Sequence, residues 1–260
     1  MAITTEQVKE LRDKTGVSVM QCRKALEESA GDMEKALIML RKKGAEIAEK
    51  KSDRSAADGV IVVRTDTTRA LTLILNCETD FVAKNADFTT LANTLADIAW
   101  NDGAEKARQQ APALINDVVL KIGENIQLGT IDEVRGDVVG AYVHHTGKVA
   151  AVVALKGGTP DVAKDIAMHV AAMKPAYRSS ADITEEAKDA VVEVLKKEVD
   201  ESGKPEDIKA KMLEGKLAGY FKEQTLLDQP FFKNPDVTIE TYAANNGATV
   251  DKFVLYTLTS

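Results

Sequence analysis

Apolar side chains in the first 52 residues recur every three or four positions, which is the spacing of amphipathic helices. Thr4 with Gln7, and Ser18 with Gln21, have the spacing of capping boxes, in which the two side chains satisfy free backbone groups at a helix N-terminus. A glycine follows each of the first two patterns, where a helix commonly ends. We therefore predict a domain of three short helices over residues 1–52, with a polar linker after it.

The pattern changes to β-strands after this linker. The apolar runs 59–64 and 69–75 flank four polar residues, which is typical of a β-hairpin. A similar hairpin is predicted at 138–144 and 149–155. Periodicity assigns the segments between and after them as helices 88–100, 113–122 and 161–173 and strand 125–131.

The two hairpin regions resemble each other when the sequence is shifted so that Leu75 falls on Leu155. The same shift aligns the tripeptide Val-Ala-Lys at 82–84 with an identical tripeptide at 162–164. Both copies then read as a hairpin, a short loop and a helix, which indicates a duplicated unit. The two similar α+β subdomains that this predicts span residues 56–136 and 137–260.

A heavily charged helical pattern interrupts the second subdomain between about residues 182 and 223. Gly203 and Pro205 divide it, and a glycine past one helix with a proline at the start of the next is typical of two consecutive helices. We predict a narrow antiparallel hairpin, followed by a helix near 238–245 and a strand at 253–258. The predicted fold class is α+β: an N-terminal three-helix domain, then a core of two similar α+β subdomains with an inserted antiparallel helical hairpin.

Composition and charge narrow the class of protein. The 260 residues carry a formal net charge of −7, so the chain should not bind nucleic acid phosphates without a local basic patch. The basic run Arg41-Lys42-Lys43 fits better as cations at a helix C-terminus. The N-terminus lacks a signal-peptide pattern, and its longest apolar stretch is too short to span a bilayer. We expect a cytoplasmic protein that binds neither nucleic acid nor membrane directly.

Residues capable of catalysis or metal binding are few. Cys22 and Cys77 lie in unrelated contexts, which is expected of reduced structural thiols rather than of a zinc site. His144 and His145 are adjacent on a predicted strand and should point to opposite faces, whereas His169 lies in mid-helix as a structural residue. A pair of Cys77 with a histidine has no local cation to lower the thiol pKa. Glycine-rich phosphate loops are also missing, so we expect no catalytic residues, no metal site and no cofactor.

The segment Asn76–Asn85 differs from an ordinary polar loop because it holds Phe81 and Val82 beside Asp80. It follows the most hydrophobic predicted strand and precedes a helix. Two interpretations stay open for it. Either Phe81 turns into the core while Asp80 caps the helix, or Phe81 is an exposed apolar anchor with an adjacent charge, which is typical of a binding hot spot.

Several segments resemble the elongation factor Ts family, in an order and spacing that cover nearly the whole chain. The most recognisable is Thr79–Lys84, with the sequence TDFVAK. The other matching segments are 8–17, 22–26, 57–60, 121–126, 166–172, 203–205, 214–216 and 229–231. Some family members continue past the final strand into a further helical module that touches the partner. This sequence stops at Ser260, so we do not expect that contact here.

The resemblance implies guanine-nucleotide exchange on elongation factor Tu, a GTPase, and no enzymatic chemistry. It implies an N-terminal domain like a ubiquitin-associated (UBA) domain that grips the GTPase. The residues that match the segment intruding near the Mg²⁺ of the bound nucleotide, and displacing that ion, are Thr79, Asp80, Phe81 and Val82. The further implied contacts are Arg12, Val19, Met20 and His144. In parts of the family the helical hairpin mediates a homodimer, which makes a homodimer a second expected partnership.

Two other hypotheses stay open at this point. A non-exchange scaffold would recruit partners through the three-helix domain and would bury Phe81 in a structural core. A small-molecule enzyme would need Cys77, His144 or His169 to converge on one pocket. The exchange factor differs from both because it requires an exposed Asp80–Phe81 segment.

Overall fold

The computed structural model describes residues 3–258, so the predicted domain ends at residues 1 and 260 lie outside it. The chain opens with helices α1 (Thr5–Thr15), α2 (Val19–Glu28) and α3 (Met33–Lys51). The next elements are β1 (Asp58–Thr65), β2 (Arg69–Cys77), α4 (Asp80–Ala83), α5 (Ala86–Asp102), α6 (Ala104–Ile122) and β3 (Ile126–Arg135). The last are β4 (Val138–Val143), β5 (Val149–Gly157), α7 (Pro160–Met173), α8 (Glu185–Asp200), α9 (Glu206–Gln224), β6 (Pro230–Phe231), β7 (Asn234–Thr238), α10 (Ile239–Asn245) and β8 (Ala248–Thr257).

The first two helices begin where their capping residues place them. Thr4 accepts a hydrogen bond from the Gln7 backbone, and Ser18 accepts one from the Gln21 backbone, so both predicted capping boxes form. Gly16 ends α1 with a φ of 69°, a left-handed conformation that glycine adopts without steric cost.

Helix α3 is longer than the sequence pattern indicates and runs for 19 residues to Lys51. Arg41–Lys43 therefore lie in the middle of the helix, and their interpretation as cations at a helix C-terminus is wrong. The predicted linker also starts inside the helix. The helix continues because the residues after Leu40 are mostly strong helix formers and because its second half packs on α6.

The contact between α3 and α6 joins the three N-terminal helices to the rest of the molecule. Ile47 of α3 packs against the apolar core formed by β2, α5 and α6. Leu120 of α6 belongs to the apolar cluster of the N-terminal helices. The two helix backbones approach so closely at Gly44 that a Cβ there would lie 2.6 Å from the Asn116 carbonyl oxygen. The N-terminal helices therefore have an apolar cluster of their own, to which Leu120 of α6 adds a side chain.

Two antiparallel three-stranded sheets form the centre of the molecule. Their strand orders are β1-β2-β3 and β4-β5-β8, so each sheet has the second strand of a hairpin in the middle and a returning strand at its edge. The equal orders support a duplication, which stays a prediction. The described strands β6 and β7 make a separate two-stranded ribbon.

The central strands β2 and β5 are buried on both faces. On β2, Leu73 and Leu75 pack against α5 and α6, whereas Ala70 faces the other sheet. On β5, Val153 packs with α7 and Val152 faces the first sheet. The order of layers is therefore helix, sheet, sheet, helix, which explains why both strands are almost continuously apolar.

Helix α6 begins nine residues earlier than predicted, at Ala104 instead of 113. Gly103 and Pro112 are breakers in a sequence pattern, which is why the segment 101–112 could not be assigned. Pro112 nevertheless lies inside α6, since the buried residues Ala107 and Ala111 anchor that part of the helix in the core.

Helices α8 and α9 form an antiparallel pair that contributes little to the core. Ion pairs cross between them from Lys216 to Glu198 at 2.6 Å and from Lys209 to Asp200 at 3.7 Å. No described residue of α9 is buried. Exposed Val194 and Ile208 leave apolar surface on the pair.

We expect alanine at Gly44 and alanine at Gly215 to change stability in opposite directions. A glycine in an exposed helix interior costs about 1 kcal/mol relative to alanine, so Gly215→Ala on α9 should stabilise the protein. At Gly44 the added methyl group meets the Asn116 carbonyl, and overpacking of this kind costs about 1–3 kcal/mol. Urea unfolding of both variants measures the difference. Equal stabilisation by the two substitutions would mean that α3 and α6 are not in close contact.

Candidate protein-binding site

The segment Thr79–Val82 is the first turn after β2 and contains the N-cap and the first three residues of the short helix α4. Thr79 is the N-cap residue, because its hydroxyl accepts a hydrogen bond from the Val82 backbone at 3.4 Å. Asp80 is the first helical residue. The interpretation of Asp80 as the capping residue is therefore wrong, although a carboxylate in the first turn still favours the positive end of the helix.

Phe81 projects into solvent from this turn and is 82% exposed. Its neighbours Val82 and Ala83 are buried in the core of the first sheet. Successive residues of a helix point about 100° apart. Because Val82 and Ala83 face the core, Phe81 has to face away from it, and the interpretation of Phe81 as an inward-turning residue is wrong.

The turn Gly123–Asn125, between α6 and β3, holds the segment in place. Glu124 accepts two hydrogen bonds from Thr79, one from the backbone N–H at 3.1 Å and one from the hydroxyl at 2.8 Å. Glu78 in return accepts the backbone N–H of Asn125 at 2.6 Å. The sequence pattern did not single out Glu124, although it lies in one of the segments that carry the family resemblance.

Asp80 stays ionised over a wide pH range. The Lys84 ammonium lies 2.8 Å from its carboxylate and holds the pKa of Asp80 below its usual value, and the positive charge of Lys148 lowers it further. Both side chains of the Asp80–Lys84 pair are exposed, so the pair contributes little to stability. The segment thus presents a negative charge beside an exposed aromatic ring.

His144 lies in the turn between β4 and β5, which is on the same side of the molecule as the Phe81 segment. The Gly147 carbonyl of this turn accepts the Ile61 backbone N–H of β1 at 2.9 Å, and Lys148 binds the carboxylate of Asp58 at 2.9 Å. Asp58 pairs with Cys77 at the end of β2, so its contact with Lys148 places this turn near the start of the Phe81 segment. Neither Asp58 nor Lys148 was indicated by the sequence.

His144 and His145 lie in this turn and not on a strand. Strand β4 ends at Val143, so the alternation of side chains between two faces stops before them. Their ring centroids are 4.1 Å apart, and the prediction that they point to opposite faces is wrong. His144 Nδ1 lies 2.9 Å from the Thr146 hydroxyl, which fixes the orientation of its ring.

Arg12, Val19 and Met20 lie on a different part of the surface, on α1 and α2. All three are exposed, Met20 to 76% and Val19 to 51%. Lys121 of α6 lies against Gly16 at the end of α1. The structure thus presents two sets of predicted contact residues, one on the N-terminal helices and one around Phe81 and His144.

The residues considered for catalysis do not form a site. Burial, with the nearby charges of Asp58 and Glu124, raises the pKa of the Cys77 thiol to about 12, so it is not a thiolate at neutral pH. His169 is fully buried in α7, and its Nε2 lies 2.9 Å from the side-chain oxygen of Gln229. Burial also lowers the pKa of His169, which keeps the ring neutral.

Residues 3–258 contain no cluster of three or more histidine, cysteine or acidic side chains arranged to hold a metal ion. Over the same residues, no helix has the length and apolarity needed to cross a membrane.

Comparison with known families assigns the chain. The family model described as "Elongation factor TS" matches residues 78–260, which is more than half of the sequence. The chain belongs to the elongation factor Ts family. Membership implies a role in translation elongation as a nucleotide exchange factor that interacts with elongation factor Tu, and such a factor is not an enzyme in the usual sense. The elongation factor Ts match includes the Phe81 segment and His144, whereas Arg12, Val19 and Met20 precede it.

We expect Thr79→Ala to destabilise the protein more than Thr159→Ala. Both threonines cap a helix with nearly identical backbone angles, φ −132° and ψ 156° for Thr79 and φ −131° and ψ 159° for Thr159. Loss of a cap costs about 1 kcal/mol in each case. Thr79→Ala also removes a hydrogen bond to the Glu124 carboxylate, and bonds to charged groups contribute about 1.5–3 kcal/mol. Equal losses in denaturant unfolding would show that the Glu124 contact adds nothing.

Proposed function

We propose that the chain accelerates GDP release from elongation factor Tu by inserting Phe81 near the Mg²⁺ and phosphate site of that GTPase. The observation that carries the proposal is the exposure of Phe81 although the two residues that follow it, Val82 and Ala83, are buried. An exposed aromatic side chain with an adjacent charge is the usual composition of a hot spot at a protein interface. The non-exchange scaffold is less well supported, since it required Phe81 to be buried.

The mechanism uses the partner's own electrostatics. GDP is held largely through its phosphates and a bridging Mg²⁺, which is the largest charge in such a site. Phe81 acts as a wedge between elements of the partner and shifts the backbone groups that position the ion. The ionised carboxylate of Asp80, the residue before Phe81, enters the partner site together with the aromatic ring. Displacement of the Mg²⁺ removes much of the hold on the diphosphate, and no covalent step is needed.

The chain and the nucleotide must lower each other's affinity for the GTPase by the same factor. If the chain lowers the affinity for GDP by some factor, bound nucleotide lowers the affinity for the chain by the same factor. An incoming GTP can therefore displace the chain, and the chain can act again on another GTPase molecule. This reciprocity is why substoichiometric activity is the decisive test of the proposal.

The exposed surface of the N-terminal helices supplies affinity for the GTPase. Arg12, Val19 and Met20 are exposed on the N-terminal helices, which we propose form a UBA-like domain that grips the GTPase. His144 adds a polar contact beside the Phe81 segment. Two surfaces on one chain raise the effective concentration of each once the other is bound, so moderate contacts at both give a firm complex.

The remaining parts of the proposal concern architecture and assembly. The core consists of two similar α+β subdomains that arose by duplication, a hypothesis supported by their equal strand orders. The helical pair α8 and α9 mediates a homodimer through exposed residues such as Val194 and Ile208. As a translation factor, the protein works in the cytoplasm without direct contact to nucleic acid or membrane.

We expect Phe81→Ala to lower the maximal rate of GDP release about tenfold or more, which is the effect of removing an interface hot spot. The melting temperature should stay nearly unchanged, because truncation of an exposed side chain has little effect on folding. Release of a fluorescent GDP from elongation factor Tu, with catalytic amounts of the chain, measures the rate. Tyr220→Ala removes another exposed aromatic ring, on α9, and serves as the control. A rate that is unchanged by Phe81→Ala, with a normal control, would refute the wedge.

We expect Arg12→Ala and Met20→Ala to act on affinity. Each should raise the concentration of chain needed for half-maximal GDP release about fivefold, since a contact in an interface commonly contributes about 1 kcal/mol. The maximal rate should change little, because the wedge is intact. Titration of the chain against a fixed amount of the GTPase–GDP complex separates the two quantities. A fall in maximal rate without a change in half-saturation would contradict the division of roles.

A further inference from the structure

The turn Gly123–Asn125 is bonded to two separate parts of the chain, residues 78–79 and residues 51–54. Its Glu124 side chain uses both oxygens on Thr79, at 3.1 Å to the backbone N–H and 2.8 Å to the hydroxyl. The backbone N–H of Asn125 binds Glu78 at 2.6 Å, and the Asn125 side-chain amide donates to the Arg54 carbonyl at 2.6 Å. The Lys51 ammonium donates to the Gly123 carbonyl as well.

The turn is itself held firmly. Gly123 ends α6 in a left-handed conformation with a φ of 80°, which glycine adopts without strain. Asn125 and Ile126, the residues that follow Glu124, are buried. The bond from the Asn125 backbone is also the largest cause of a lowered pKa at Glu78, so that carboxylate remains a charged acceptor.

Thr79 satisfies its two roles at the same time. Its hydroxyl donates its proton to Glu124 and accepts a hydrogen bond from the Val82 backbone, which uses the donor and acceptor capacity of one oxygen without conflict. The residue is therefore fixed from both sides. Because Phe81 lies between Thr79 and Val82, the direction in which it projects follows from the position of Thr79.

We propose that Glu124 is a positioning residue for nucleotide exchange, which acts through Thr79 to hold Phe81 in its binding orientation. This inference rests on the proposed function. A wedge on a loose turn would have to be ordered at the moment of insertion, and that loss of conformational freedom would weaken binding. Glu124 removes the loss by fixing the turn beforehand, and it has no need to touch the partner.

The second subdomain provides an internal comparison. Thr159 caps α7 as Thr79 caps α4, with a bond of 3.4 Å to the Val162 backbone. Within residues 3–258, the Thr159 hydroxyl has this capping bond and no carboxylate partner. The residues after it are Pro160 and Asp161, so no aromatic side chain is presented there. The carboxylate contact is thus found at Thr79, where the turn presents an exposed aromatic side chain, and not at Thr159, where it does not.

The first arm of the test measures the turn in the free chain. Glu124→Gln keeps the size of the side chain but leaves only one oxygen to accept the two donors of Thr79. Amide hydrogen exchange followed by NMR should show the Thr79 N–H exchanging about tenfold faster in this variant, because its acceptor is weakened. The Ala163 amide, which binds the Thr159 carbonyl at 3.1 Å, should be unaffected and reports that the fold is intact.

The second arm measures GDP release from elongation factor Tu. Glu124→Gln should reduce the maximal rate about fivefold, and it should have no further effect in a Phe81→Ala background, since residues that act through one another are not additive. Thr79→Ser keeps both donors and should retain more activity than Thr79→Val, which loses the hydroxyl. Glu133→Gln removes one negative charge at the far end of β3 and should leave the rate unchanged.

Each outcome decides the proposal. Faster Thr79 exchange together with a rate loss that vanishes in the Phe81→Ala background supports it. If the exchange rate of the Thr79 amide is unchanged in Glu124→Gln, Glu124 does not hold the turn, and the proposal is overturned whatever the rate of GDP release. Faster amide exchange with an unaltered rate, or a rate loss that multiplies with Phe81→Ala, overturns the positioning role. Failure of the unmodified chain to accelerate GDP release overturns the proposed function instead, and the amide measurement still decides whether Glu124 fixes the turn.

Discussion

The burial of β2 and β5 on both faces is the constraint on which the rest of the structure depends. A strand with apolar residues on both sides needs a helix layer against one face and another sheet against the other. Each sheet supplies the cover that its neighbour lacks, and the bond from the Tyr256 hydroxyl to Asp132, at 2.6 Å, fixes the two sheets to each other. The proposed function depends on this packing, because the contact of Lys148 with Asp58 brings the turn between β4 and β5 near the turn after β2.

The exposure of Phe81 is a consequence of the same core. Val82 and Ala83 pack against the helices that cover β2. Because α4 has only one turn, Phe81 is then left exposed to solvent. A large apolar side chain in water is unfavourable, so its neighbours must hold it there. Glu124 and Asn125 do so from a different part of the chain, with hydrogen bonds that neither helix nor strand formation requires.

Local signals in the sequence predict much of this fold, and contacts between distant residues account for what they miss. The capping boxes at Thr4 and Ser18 were predictable, because both partners lie within four residues of each other. The length of α3 and the course of α6 through Pro112 were not predictable. Helix α3 packs on α6, and Ala107 and Ala111 of α6 pack in the core of the first sheet, and these distant contacts override the local breakers. The role of Glu124 was hidden for the same reason: Thr79 is remote from it in sequence.

Helix α3 also acts as a spacer of fixed length between the N-terminal surface and the core. Its 19 residues span about 28 Å at the rise of an α-helix, and Gly44 fixes the point at which it crosses α6. Each residue added or removed before that crossing would rotate the N-terminal helices by about 100°. Both surfaces would then survive intact and yet face different directions. The number of residues between Met33 and Gly44 is thus under a constraint separate from their identity, and natural variation in this part of the helix should favour substitutions over insertions or deletions.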